Sequence, residues 1–204
     1  QVLSVSAELL EAAPTTAIAP ATPAEALTAT LWLRSVPSVI LERLARQAVL
    51  HRVPSGSILF EQSETPAFAQ LLVAGCVELL AVDGANEALI ETVHPIDLLL
   101  PAAVLNRQPY LTRARVLEEA QLVLIHADTF RDTVAADQAL CLAVLACQAA
   151  QFRRQVKLAK NLKLRSAEQR VGCYLMSLLQ GEDLRAPIRL PFEKRRIAWQ
   201  LGMT

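Results

Sequence analysis

The side chains able to do chemistry in this chain are few, and they do not assemble into a reaction centre. Cys76, Cys141, Cys147 and Cys173 include no CxxC pair, and none stands at metal-ligand spacing from His51, His94 or His126. Buried free thiols in a reducing cytoplasm are the expectation. No nucleophile–base pair, carboxylate dyad, phosphate loop or metal cluster stands out, so neither catalysis nor a metal site is expected. What remains is charge. Lys and Arg crowd residues 153–170, where Glu168 is the single acid, whereas residues 61–97 lean acidic. A basic end on a chain with no net charge suits a local anionic partner, such as a phosphate backbone.

The elements that would carry this charge emerge from pattern. With 204 residues, 53% of them hydrophobic, the chain can build one or two small domains with a real core. No run approaches the ~20 apolar residues of a membrane span, and nothing resembles a signal peptide, which predicts a cytoplasmic protein. Residues 1–34 read as an Ala-, Thr- and Pro-rich leader with one small helical stretch, Ala7 to Ala13. Pro37 opens a helix through Leu41 and Leu44. Over 35–135 the pattern becomes short β runs: Leu50–Val53, Ser57–Phe60, Ala69–Val73, Val77–Ala81, Ala88–Val93, Arg113–Val116 and Leu122–Ile125. Turns are expected at Pro54-Ser55-Gly56, at Ala74-Gly75 and, as a hairpin, at Asp83-Gly84. Many short antiparallel strands predict a small barrel or roll.

A short helix capped by Asp128 comes next, then a long helix over about 136–162. Leu142, Leu145, Ala149, Phe152, Val156 and Ala159 alternate spacings of three and four on it, an a/d seam that predicts a homodimer through a two-stranded coiled coil. Ser166 with Gln169 has the spacing of a capping box, so 136–165 is a dimerisation helix and hinge, and a new helix begins at 166. Residues 166–204 continue through Val171, Leu175 and Leu179, a short strand Ile188–Leu190, and a basic helix with a glycine turn ending at Thr204. A helix N-cap at the final residue reads as an interrupted DNA-reading unit.

Taken in order, several of these stretches resemble the cyclic AMP receptor protein/fumarate–nitrate regulator (Crp/Fnr) superfamily of bacterial transcription factors. The stretches are Pro54-Ser55-Gly56 before Ile58-Leu59-Phe60, Leu71 to Leu79 around Gly75, Asn161-Leu162 leading to Ser166, and Ile197-Ala198-Trp199-Gln200-Leu201-Gly202-Met203-Thr204. The resemblance covers about residues 35–204. It implies an α+β chain: a cyclic-nucleotide-binding-type β-roll, a long dimerisation helix and a C-terminal winged helix-turn-helix, here truncated. It also implies a pseudo-palindromic DNA operator, read one helical turn apart by the two copies, and RNA polymerase as a further partner. By position, Arg195, Lys194, Arg196 and Thr204 correspond to phosphate contacts, which position a protein without reading sequence.

The sensing site departs from the family. Its cyclic-nucleotide members hold the phosphate with a Gly-Glu-Leu turn and an Arg followed by Ser or Thr. Here the turn reads Ile96-Asp97-Leu98-Leu99-Leu100-Pro101-Ala102, and the arginine position falls on Tyr110 or Leu111. A cyclic nucleotide is therefore not the expected effector. The cysteine cluster of the iron–sulfur members is missing from residues 1–50. The style is nearest to the nitric-oxide-responsive nitrate-respiration regulators, which also lack the arginine. An apolar pocket around Leu99, Leu100, Ala102, Tyr110 and Leu111 is the expected effector site. A haem-dependent gas sensor, with His94 or His126 as ligand, is the second reading. A cyclic-nucleotide-type interaction module without DNA binding is the third.

Overall fold

The computed structural model describes residues 20–178, 190 and 193–203, with Arg195 and Gln200 described by their backbone alone. The expected helix Ala7–Ala13, Thr204 and all of the expected strand Ile188–Leu190 except Leu190 lie outside these residues. Two compact units divide the described chain, one ending at Arg153 and the other beginning at Arg154.

The first unit begins earlier than composition suggests. Thr22 caps helix α1 (Pro23–Ala29), accepting from the Glu25 N–H, and Pro23 sits where a helix needs no N–H. The buried Thr30 returns its hydroxyl to the Ala26 carbonyl at 2.9 Å. After the 3₁₀ turn Leu31–Leu33 comes α2 (Ser38–Arg46). Ala26, Leu27, Leu33 and Val36 share one core with Ile40, Leu41 and Leu44. The leader expected over 1–34 therefore does not reach residue 34. A seven-residue helix with two buried side chains is too short to stand out in Ala/Thr/Pro-rich sequence.

Six antiparallel strands come after α2: β1 (Ala48–Val53), β2 (Ile58–Phe60), β3 (Phe68–Asp83), β4 (Asn86–Val93), β5 (Asp97–Leu98) and β6 (Arg113–His126). The order is β1-β6-β3-β4, with β2 also on β6 and β5 also on β3. The Asp83-Gly84 hairpin is present, with Asp83 opposite Asn86. The turn expected at Ala74-Gly75 is not a turn. β3 runs straight through it, and β6 likewise joins the two runs that the pattern divides into a separate pair. Gly75 has φ +83°, and a Cβ there would lie 2.2 Å from the Glu119 carbonyl oxygen. The β3–β6 register slips on either side of Cys76. Glycine here marks a bulge where two backbones touch inside a paired ribbon.

Two-residue alternation sends the ribbon's side chains to two cores. Leu71, Val123 and Ile125 face the helices, with Phe130 and Val134 of α4 (Ala127–Ala136). Leu72, Leu79, Val116 and Leu122 face the roll interior, with Phe60, Leu99 and Tyr110. Leu72 and Leu122 are fully buried, worth about 2–3 kcal/mol each.

Asp128 does not cap α4. It lies in the first turn and pairs with Arg131 one turn on, where a carboxylate favours the helix dipole. Asp137 caps instead the 27-residue α5 (Gln138–Leu164), accepting from the Leu140 N–H at 2.7 Å. On α5, Leu140, Ala143, Val144 and Cys147 are buried in the helix-side core.

In the second unit, α6 (Ala167–Leu178) starts at the expected capping box. The Ser166 N–H donates to Gln169 Oε1 (3.0 Å), and the Gln169 N–H donates to Ser166 Oγ (3.3 Å). Helix α7 (Lys194–Gln200) ends in a Schellman turn: Gly202, at φ +66°, donates to the Trp199 carbonyl and Met203 to that of Ala198. No single described helix is long and apolar enough to cross a membrane.

Candidate functional site

The residues expected to line an effector pocket do not share one environment. Leu99 and Tyr110 are buried in the roll interior, where Tyr110 stacks on Phe60 with ring centroids 3.7 Å apart. Burial, with Glu64 nearby, pushes the Tyr110 phenol up to about 12. Leu100 is half-buried, with its backbone at φ +43° just before α3 (Pro101–Asn106). Ala102 is exposed and Leu111 is 85% exposed, so these two do not line the interior with Leu99 and Tyr110. Phe60, on the short β2, reads in the sequence only as part of a β run. Nothing in its local sequence announces the stack.

The cations nearest this region point away from it. Ala114 and Val116 face the roll interior, so by alternation Arg113 and Arg115 face the other side of β6. There Arg113 pairs with Glu61 (2.7 Å) and with Glu87. Arg115 pairs with Glu87 (3.0 Å) and with the buried Glu78 (3.2 Å). Two guanidiniums are thus matched to three carboxylates. An anion inside the roll finds neither of them aimed at it.

His94 and His126 sit apart. The His94 Nδ1 lies 3.8 Å from Cys76 Sγ, and desolvation lowers the imidazole pKa against the opposing pull of Glu118. His126 makes an edge contact with Phe68. An open cleft of about 820 Å³ runs between the α3–α4 side chains and the start of α5, lined by Leu105, Arg107, Arg131, Cys141 and Leu142 among others. Neither histidine borders it.

A polar junction ties the roll to α5. Gln151 Nε2 donates to Asp97 Oδ1 (2.7 Å) and to the Leu98 carbonyl (2.8 Å), and the Cys147 thiol lies 3.4 Å from the same Asp97 oxygen. Asp97 also accepts from the Leu98 N–H. Leu140, Val144, Cys147 and Gln151 succeed one another at four, three and four on the inward face of the helix. A polar residue continuing a buried apolar face is the available signal, yet along the sequence Gln151 reads only as an interruption. Leu98 and Asp97 immediately precede Leu99, so α5 holds the segment that enters the roll interior.

The opposite face of α5 is bare. Leu142, Leu145, Phe152 and Val156 are 55%, 61%, 70% and 49% exposed, and Ala149 and Ala159 are exposed as well. All six seam residues are therefore exposed. In the second unit Lys194 is exposed, Arg196 half-buried and Ile197 buried, with Trp199 and Leu201 half-buried. Arg195 lies on α7 between Lys194 and Arg196.

Residues 50–137 match the family of cyclic nucleotide-binding domains. Nothing among curated proteins matches the sequence. Among solved structures, the chain is similar to the c-di-GMP responsive global regulator CLP of Xanthomonas campestris, with a TM-score of 0.68 and 13% identity, over 82% of this chain and 86% of that one. It is similar to FixK2 of Bradyrhizobium japonicum, with a TM-score of 0.63 and 17% identity, over 77% and 78%. It is also similar to DNR of Pseudomonas aeruginosa, with a TM-score of 0.54 and 22% identity, over 88% and 81%. At these identities the likeness is one of fold. The chain thus carries a cyclic nucleotide-binding β-roll continued by a long helix, a fold it shares with the global regulator CLP and the transcriptional regulator DNR.

Proposed function

We propose that this chain is a homodimeric, DNA-binding transcription regulator whose β-roll answers to an effector other than a cyclic nucleotide. The observation that carries the reading is the two-faced α5. One face is buried on the roll and the other exposes an apolar heptad seam, which a second copy would cover. The basic α7 with its glycine turn supports DNA as the partner, with Lys194, Arg195 and Arg196 at the phosphates and Thr204 opening the recognition helix. The outward, carboxylate-matched Arg113 and Arg115 argue against an anionic effector inside the roll, in keeping with the subgroup that lacks the phosphate arginine.

Control runs through the junction at Asp97. An effector that shifts Leu99 or Leu100 also shifts Asp97, and Gln151 passes that shift to α5. The helix then moves against its partner copy and reorients the DNA-binding helices beyond the Ser166 hinge. The effector activates only if it binds the aligned state more tightly.

The test is a fluorescence-anisotropy titration of the full-length protein with palindromic DNA at several salt concentrations. Binding that weakens steeply with salt is expected, and Arg195→Ala should weaken all sequences about equally. An absence of binding would favour the interaction-module reading. A sharp Soret band on adding haem, lost in His94→Ala or His126→Ala, would make haem the effector.

A further inference from the structure

The dimeric reading, on which this inference rests, leaves one feature of the second half of α5 unexplained. Continuing the seam past Val156 and Ala159 by the same alternation puts Lys163 at the next seam position. Lys163 is exposed, as are Arg153 and Lys160, each of which lies one residue after a seam residue (Phe152 or Ala159) and so borders the interface. In a parallel coiled coil these bordering positions face residues that directly precede seam positions on the other copy. Those residues are Gln148, Gln155 and Leu162, none of them acidic. Indeed α5 contains no Asp or Glu anywhere along its length. Two such helices zipped together bring like charges into register with no acidic side chain on the partner helix to offset them.

The same compact unit points to the neutralising anion. Leu162 abuts Gly202, so closely that a Cβ on the glycine would come within 2.5 Å of Leu162 Cδ2. Arg170 also donates to the Gly202 carbonyl at 3.3 Å. The last turn of α5 therefore touches the turn that ends the basic helix α7. Lys160, Lys163 and Arg165 continue the positive charge of Lys194 and Arg196 on one body.

We propose that the C-terminal half of α5 is an anion-gated zipper. Like charge holds the two copies apart around Lys163, and they close there as the phosphate backbone of DNA neutralises Lys163, Arg153 and Lys160 or as salt screens them. DNA binding and closure of this half of the seam are then one equilibrium, so each strengthens the other by the same factor.

Sedimentation equilibrium of the full chain at low and high salt, with and without a short duplex of random sequence, tests this. The dimer should tighten with salt and with the duplex. Lys163→Leu should dimerise about tenfold more tightly at low salt and lose much of the salt dependence. A dimer whose strength ignores salt, or a Lys163→Leu variant with the parent's salt slope, overturns the proposal while leaving the dimeric reading intact. Tightening by heparin but not by duplex DNA overturns the choice of DNA as the anion. A chain that stays monomeric under every condition overturns the dimeric reading and this proposal with it.

Discussion

The two faces of α5 are equally apolar in sequence and opposite in structure. Leu140, Val144 and Cys147 are at most 6% exposed, whereas Leu142, Leu145 and Phe152 are 55–70% exposed. Residues two positions apart on one helix thus serve different ends. The inward face stabilises the fold, and the outward face has no task within a single chain. The difference teaches that apolar content does not identify an interface. The face left over once the core is satisfied is the candidate for one.

The largest effect should come from breaking the inward face. Leu140→Ala removes a fully buried side chain and should cost about 3 kcal/mol in urea unfolding. A loss within a few tenths of a kcal/mol would mean that α5 is not seated on the roll. The complementary change is Phe152→Glu. It should leave the far-UV circular dichroism intact yet weaken the dimer about 100-fold in sedimentation equilibrium, because two carboxylates would enter the seam. An unfolded Phe152→Glu chain would erase the distinction between the faces.

Gln151 sharpens the comparison, since it is polar yet lies in line with the inward face. Gln151→Leu keeps the volume and removes both hydrogen bonds to β5, at a cost of about 1–2 kcal/mol. Hydrogen exchange should quicken at Leu98 to Leu100 more than elsewhere in the roll. Uniform exchange would deny the junction its coupling role. The smallest effect concerns the buried interior of the roll. Tyr110 ionises near 12 in the folded chain and near 10 when unfolded, so the folded state holds its phenol proton more tightly. That contribution is complete below pH 10 and fades as pH rises through about 12. In a Tyr174→Phe background, absorbance at high pH should register no phenolate until well above 10. Titration at the ordinary value would mean that water reaches Phe60 and Tyr110.

Much of this was legible in the sequence. The exposed apolar stripe of α5, the Ser166–Gln169 box, the Asp83-Gly84 hairpin and the glycine turn after α7 are local signals, each set by residues three or four apart. What failed depended on partners distant in sequence. Gly75 looks like a turn until Glu119 is brought against it, and the two halves of β6 look separate until β3 pairs with both. Ala102 and Leu111 join Leu99 in the expected pocket because they are neighbours in sequence, but a left-handed residue at Leu100 and the start of α3 redirect the chain between them. The partners of Arg113, drawn from β4 and the loop after β2, could not be read from its own strand.

The β3–β6 ribbon has a consequence for how the protein is made. Phe68 pairs with His126 and Leu80 with Arg113, with all of β4, β5 and α3 lying between the two strands in the chain. Both cores draw on this ribbon, so neither can form before β6 has been synthesised and has left the ribosome. Pairing across so long an insertion is slow because the loop must close before any contact compensates for it. During that interval β3, apolar from Leu71 to Val82 except at Glu78, is an open edge. The nascent roll should be most dependent on chaperones in the window between the emergence of β3 and that of β6, and should then fold in one step.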